Sequence, residues 1–416
     1  MSPISTRLLP TLGPVSGTGM MLNNVLGAGM LSIPGLAARS AGAQSIWSWI
    51  LAALVVVPLL GVFALLAVRS PHGGGVIHIA RDNLGCWGGN VTMALLFSAV
   101  ILGLPSIALT GGYYAQGAFG LPAWIGACVI LATATGANMI SARGAARIGA
   151  WVSLGVVIFL IVLLACGLAG LDHAFVALPS LPDRQSFAPF ALVFFSFAGW
   201  EIALGMSEEF RSPARNIPLA IGLSWGLAAV FYLLCAFVVI GNGPGFWNAH
   251  PFLDILSHIV GDRVFASRVV ALGAVIIVWA NLFAALWGVS RMILRSVPLA
   301  ALRHERNGIP VMAVSLTGAI MVTIVAAATF FSIDIARLIS SAGMNFLFIY
   351  GLCAIALLVS AQDVIGVAVS ALALIVILIV LFATGSSKIY PLTASGLALA
   401  VTGGRAMLGR KKRPGR

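Results

Sequence analysis

Residues 23–34, NNVLGAGMLSIP, and residues 194–201, FFSFAGWE, decide how this chain is to be read. Both lie in the middle of long apolar runs, yet neither suits an uninterrupted helix. In the first, Gly27, Ala28 and Gly29 sit mid-run with Pro34 one to two turns later; in the second, Ala198 and Gly199 sit beside Glu201. Glycine raises the entropic cost of helix formation, and proline removes a donor and crowds the preceding turn. At membrane depth, a broken helix is tolerated only where its freed backbone groups are buried in protein or line a cavity. Two interruptions at corresponding places in two halves of a chain point to a binding site at the membrane midplane.

The membrane setting follows from composition. Of 416 residues, 60% are hydrophobic and 8% charged, too few polar groups to build a water-soluble surface. Apolar runs of about 18 to 25 residues recur, each long enough to cross the hydrocarbon core as a helix. Continuous apolar runs exclude a β-barrel, whose strands would alternate. The spans are predicted at 14–38, 46–68, 87–113, 121–141, 147–170, 187–207, 217–241, 264–292, 309–331, 334–359, 362–384 and 389–408. The expected architecture is therefore an all-α membrane protein of about 12 transmembrane helices, with helices 1 and 6 broken. A single domain covers 1–408: repeat one 14–170, repeat two 187–359, extra helices 362–408, then a basic cytoplasmic tail at 409–416. Between spans seven and eight, residues 241–263 carry Phe252, Leu253, Ile255, Leu256 and Ile259 at helical spacing, which predicts a short interfacial helix on the outer side.

The formal charge of +12 is distributed by topology and does not form a nucleic-acid surface. Counted on alternate sides of the spans, 17 of the 23 Lys and Arg fall on one side and 6 on the other, which places both termini in the cytoplasm. The opening MSPISTRLLPTLGP has no small-residue cleavage site and reads as lacking a removable leader. Five cysteines, an odd number lying singly in or beside apolar runs with no CxxC or Cys/His spacing, predict reduced packing residues and no metal or cofactor.

The candidate chemistry lies in the backbone. The amides of Ala28, Gly29 and Met30 would open the second half of span one, where a helix N-terminus carries about half a positive charge and suits a carboxylate. The carbonyls near Phe195, Ser196 and Phe197, followed by Ala198, would close the first half of span six and suit an ammonium. Together they describe a receptor for a zwitterionic amino acid. The competing reading, that the glycines only allow close helix packing, is favoured by Gly27 alone and disfavoured by the pair of breaks. Asn23 and Asn24 precede the first break and are placed for substrate. Glu201 is the one acid well inside a span, where an ionisable group costs at least about 2.5–3.5 kcal/mol. It is a candidate for proton coupling or gating, or alternatively a hydrogen-bond partner of an unwound amide. Trp200 and Phe197 gate or pack; Phe195 flanks the break. Asn138, Asn281 and Asn345 read as interhelical glue.

At these residues the chain resembles the amino acid–polyamine–organocation superfamily. The matching pieces are GAGMLSIP at 27–34, PHGGGVIHIARDNLG at 71–85, FSFAGWE at 195–201 and SEEFRSPARNIPLAI at 207–221, in the family's order and spacing. Within it, GLPSIALTGG at 103–112, SEEFRSPARNIP and AGMNFLFIYGLCAIALL at 342–358 are similar to the bacterial L-methionine and branched-chain amino acid exporters. The resemblance implies a LeuT-like five-plus-five inverted repeat with two extra helices in a bacterial inner membrane. It also implies carboxylate binding at Gly27 to Met30, ammonium binding at Phe195 to Ala198, and efflux driven by protons.

There are departures. Where sodium-coupled relatives place a Ser/Thr pair in span eight, residues 275–290 offer only Ser290, and residues 151–170 lack the lysine of some proton-coupled relatives. Glu201 becomes the proton candidate by elimination. With no second intramembrane acid, a cationic side chain has no counter-charge, which argues against arginine, lysine or polyamines. Import or exchange by the same fold remains the alternative. A channel would need rings of repeated polar residues, and none is present. An enzyme would need a nucleophile and base or metal ligands at depth, but the six histidines all fall in loops or at interfaces.

Overall fold

The computed structural model describes residues 13–27, 29–69, 75–139, 155, 158–171, 181–205, 207, 210–260, 262–296, 305–306, 309–383, 391–396 and 399. The first predicted span is two helices, α1 (Pro14–Val25) and α2 (Gly29–Ala41). Pro14 opens α1 at the position where its missing N–H costs least. Spans two to five correspond to α3 (Ile46–Arg69), α4 (Gly75–Phe119), α5 (Ala123–Ala137) and α6 (Ile158–Ala169). Span six is again split, into α7 (Phe190–Ser196) and α8 (Ile202–Gly205). Then follow α9 (Pro213–Gly241), the short α10 (Pro251–Ile259), α11 (Arg263–Ser296), α12 (Val311–Phe330), α13 (Ile335–Ser360) and α14 (Val364–Ala383). Residues 305–306 and 309–310 form a minimal antiparallel pair between α11 and α12. Most of predicted span five before 158, most of span twelve and the tail at 409–416 lie outside the described residues.

One boundary differs in an informative way. α4 begins at Gly75, not at 87, and is bent at Gly85, whose φ of 74° suits a residue without a Cβ. Residues 75–84 thus form a short amphipathic helix leading into the span: Val76, Ile79 and Ala80 are buried, while His78, Arg81 and Asp82 face out. The polar content of that segment hid it from a hydropathy reading. The interfacial helix expected at 241–263 is present as α10, with Phe252, Leu253, Ile255 and Leu256 buried and Ile259 left 39% exposed.

Seven helices among the described residues are long and apolar enough to cross a membrane. Their outward faces carry aliphatic side chains, such as Leu219, Leu223, Leu227 and Val230 on α9 and Ile365, Leu372, Ile375 and Ile379 on α14. Inside, helices approach through small residues, as they must where lipid provides no hydrophobic drive for association. Gly343 of α13 leaves room for the Ala191 carbonyl of α7, and Gly112 of α4 leaves room for the Ala123 carbonyl at the start of α5. Buried amides tie the bundle: Asn345 Nδ2 donates to Ser98 Oγ at 3.0 Å, and Asn138 Nδ2 to the Phe283 carbonyl at 3.1 Å. Two ion pairs sit at opposite ends of α13. Asp334, which N-caps α13 by accepting from the Ala336 amide, holds Arg39 of α2 at 2.9 Å. Beyond the other end, Asp363 holds Arg69 of α3 at 2.6 Å.

Candidate functional site

The first break closes on itself. Leu26 N–H donates to the Leu22 carbonyl at 2.7 Å, Gly27 N–H to that of Val25 at 2.8 Å, and Met30 N–H to that of Gly27 at 3.2 Å as α2 begins. The Met30 amide therefore already has a partner. Asn23 falls within α1, but its side chain, like the whole of Ala28, lies outside the described residues. In the second break, the amides of Phe197 and Ala198 turn back to the carbonyls of Phe194 and Phe195 at 2.9 and 3.1 Å. Gly199 follows with φ of 113°, a conformation that a Cβ would strain, and this fixes glycine at the position.

The two breaks meet. A Cβ built on Gly29 would lie 3.3 Å from Ser196 Oγ and 3.7 Å from its Cα. The carbonyls that end α1 and α7, those of Val25 and Ser196, lie 2.6 and 2.7 Å from one hydroxyl, Tyr232 of α9. That hydroxyl carries one hydrogen for two acceptors. Two negative helix ends and one positive helix end thus converge on a single buried spot.

Glu201 is positioned by the unwinding. Its Oε2 accepts from the Gly199 amide at 3.1 Å and from the Tyr350 hydroxyl of α13 at 3.0 Å. The same amide also donates to the Tyr350 oxygen at 3.1 Å, so the carboxylate and the Tyr350 oxygen together supply the acceptors that the interrupted helix no longer offers Gly199. Tyr350 in turn packs edge-on to Phe63, with ring centres 4.7 Å apart.

The remaining sequence candidates separate. Phe195 is partly exposed and lies against Gly103 of α4 and Phe346 of α13. Phe197 is fully buried in an aromatic cluster with Trp49 and Tyr232, at 6.5 and 5.0 Å. Trp200 is fully buried and its indole N–H has no partner among the described residues. Gly27 faces Asn281 of α11: a Cβ there would be 2.5 Å from Nδ2. Three residues at the breaks, Tyr232, Tyr350 and Asn281, are not distinguished as site residues by the sequence. The available signal was a polar atom in an otherwise apolar span, in FYLLCAF around Tyr232 and FIYGL around Tyr350.

A separate concavity of about 480 Å³ lies at the Arg39–Asp334 end of the bundle, lined among others by Tyr113, Gln116, Trp124 and Thr329. No cluster of His, Cys, Asp or Glu suited to a metal occurs among the described residues.

Broken first and sixth spans that meet inside a helical bundle define a class of multi-pass inner-membrane proteins. The structure of MhsT in complex with L-phenylalanine shares this fold: it aligns over 89% of this chain and 98% of its own with a TM-score of 0.61, at 13% identity. The chain belongs to the amino acid permease family, whose sequence profile matches residues 12–384. It is similar to the L-methionine/branched-chain amino acid exporter YjeH of Escherichia coli K12, at 30% identity over 55% of this chain and 56% of the relative. It is also similar to the cadaverine/lysine antiporter of the same organism, at 28% identity over 60% of this chain and 59% of the relative. The chain spans a little over half the length of these relatives.

Proposed function

We propose that this protein is a secondary active transporter of small neutral amino acids that exports L-methionine and branched-chain amino acids by alternating access, driven by the proton gradient. One observation carries the reading: at a single buried spot, the N-terminus of α2 faces the C-terminal carbonyls of α1 and α7, with Gly29 against Ser196. Such an arrangement offers a positive helix end to a carboxylate and negative ends to an ammonium, as an α-amino acid requires. The similarity to YjeH supports methionine and branched-chain substrates and outward transport. In this reading Gly27, Ala28, Gly29 and Met30 cradle the carboxylate, and Phe195, Ser196, Phe197 and Ala198 surround the ammonium. Glu201, joined to the unwound Gly199, carries the coupled proton.

Arg39, paired with Asp334 at one end of α13, and Arg69, paired with Asp363 at the other, lie at opposite ends of the helix, which supports the charge-sorted threading. The excess of Lys and Arg then puts both termini in the cytoplasm. A second reading, a cationic substrate, is favoured by the similarity to the cadaverine/lysine antiporter. Against it, Glu201 Oε2 is already engaged by Gly199 and Tyr350.

Glu201→Gln tests the coupling, since it keeps an acceptor for Gly199 but removes the change of charge. In proteoliposomes, this variant should exchange labelled for unlabelled methionine and lose uphill export under a pH gradient. Retained uphill export would assign Glu201 to structure alone, and loss of both activities would make it a gate or folding residue.

A further inference from the structure

We infer that Asn281 of α11 is a substrate-contacting residue that donates its carboxamide N–H to the carboxylate of the bound amino acid and so completes the site between the two breaks. The inference rests on the amino acid reading above and deepens it. The sequence places Asn281 among the interhelical amides, but its surroundings differ from those of its two counterparts. Asn138 and Asn345 each hold another helix through a hydrogen bond. Asn281 makes no hydrogen bond among the described residues, although it lies in the middle of an apolar helix and is only partly exposed. Among these residues, neither end of the Asn281 carboxamide is spent on tying α11 to a neighbouring helix, so both ends are available to a bound group.

What Asn281 does touch is the first break. It fills the notch left by the missing side chain of Gly27, with the NH₂ end closest: Nδ2 would be 2.5 Å and Oδ1 3.6 Å from a Cβ at that position. The donor end therefore faces the segment that leads into α2, the positive helix end of the site. A second, independent group points to the same place. Ser196 is 3% exposed, its Oγ has no hydrogen-bond partner among the described residues, and the oxygen lies 3.3 Å from the Cβ position of Gly29. Two unpartnered polar side chains, from α11 and α7, thus flank the start of a thirteen-residue helix. An anion seated there would be met by the helix end, by one amide and by one hydroxyl, while the ammonium stays on the carbonyl side near Ser196 and Val25. Gly27 is then required because Asn281 must reach past it, a different reason from allowing the substrate itself to approach.

The test is equilibrium binding to the purified full-length protein, with labelled L-methionine and competition by 3-(methylthio)propylamine, which is methionine without its carboxylate. Asn281→Ala should weaken methionine binding by about 10- to 100-fold, the loss of one hydrogen bond to a charged group. Asn281→Asp should abolish methionine binding by charge repulsion and bind the amine more tightly than the native protein does. Asn281→Ser, which retains a donor of shorter reach, carries the comparison if the alanine variant loses its monodisperse elution profile. Methionine affinity within threefold of native in Asn281→Ala would overturn the assignment. So would methionine binding by Asn281→Asp, or no gain in amine binding by that variant. If the native protein binds none of the twenty amino acids, the amino acid reading falls first and this inference with it, an outcome readable before any variant is made.

Discussion

Tyr232→Phe removes one oxygen and leaves the ring in its aromatic cluster with Trp49 and Phe197. Two carbonyls, of Val25 and Ser196, then lose their shared donor inside the protein. Val25 keeps the Gly27 amide at 2.8 Å, so the Ser196 carbonyl is the acceptor left without a donor, and an unpartnered buried acceptor costs about 1–3 kcal/mol. Scaling the unfolding entropy to 416 residues gives about 0.9 kcal/mol per kelvin, so the melting temperature should fall by roughly 1–4 °C. Melting can be followed with a maleimide dye that reaches buried Cys235 and Cys353 only as the protein opens. The effect on transport should be larger than the effect on stability, because the hydroxyl joins the ends of α1 and α7 at the site itself: initial rates should drop more than tenfold. Tyr114→Phe is the control. Its hydroxyl donates to a single carbonyl, Leu31 within α2, at 2.8 Å, and losing it should lower the melting temperature while leaving most transport. Tyr232→Phe with transport within twofold of native, or equal damage from Tyr114→Phe, would refute the reasoning.

Gly35→Ala should be destabilised by about 1–3 kcal/mol, visible as reduced yield and a lower melting temperature, because a Cβ there would run into the Asn248 carbonyl packed over α2. A melting temperature equal to native would show that this loop yields freely. The Arg69–Asp363 pair is partly exposed, 30% and 49% by side chain, so a double-mutant cycle on melting should give a coupling of about 0.2–1 kcal/mol; a value above about 2 kcal/mol would mark a buried, cooperative clasp. Asp183, exposed before α7, accepts from the hydroxyl and amide of Ser186, which holds its carboxyl below the usual carboxylate range. A lowered value means stabilisation that is complete above the unfolded value near about 3.9 and lost as pH falls through the folded one. Asp183→Asn should therefore lower the melting temperature by the same amount at pH 6 and pH 8. A difference that grows between those values would contradict the assignment.

Much of the architecture is legible in the sequence for a simple reason: in lipid, every span must satisfy its backbone internally, so apolar runs and their interruptions map directly onto helices and breaks. Gly27, Gly29 and Gly199 mark both breaks, and these are where the helices stop. What the sequence hides is which atoms the freed backbone meets. The partners come from distant helices, Tyr232 of α9, Tyr350 of α13 and Asn281 of α11, and a tyrosine in an apolar span looks like any other packing aromatic until its hydroxyl is placed. Likewise, residues 75–84 carry too many polar groups to register as a span, although their apolar face is buried. The sequence alone gives Glu201 two readings, coupling and structure. Its hydrogen bonds to Gly199 and Tyr350 explain how it is held.

In the proposed mechanism the two breaks form a receptor for a neutral zwitterion. Counterflow with purified protein in liposomes tests this directly: unlabelled candidates loaded inside drive entry of labelled L-methionine from outside. The prediction is that methionine, leucine, isoleucine and valine accelerate entry, whereas lysine, arginine and cadaverine do not. Acceleration by cadaverine or lysine without acceleration by any neutral amino acid, or no acceleration by any of the twenty, would contradict it.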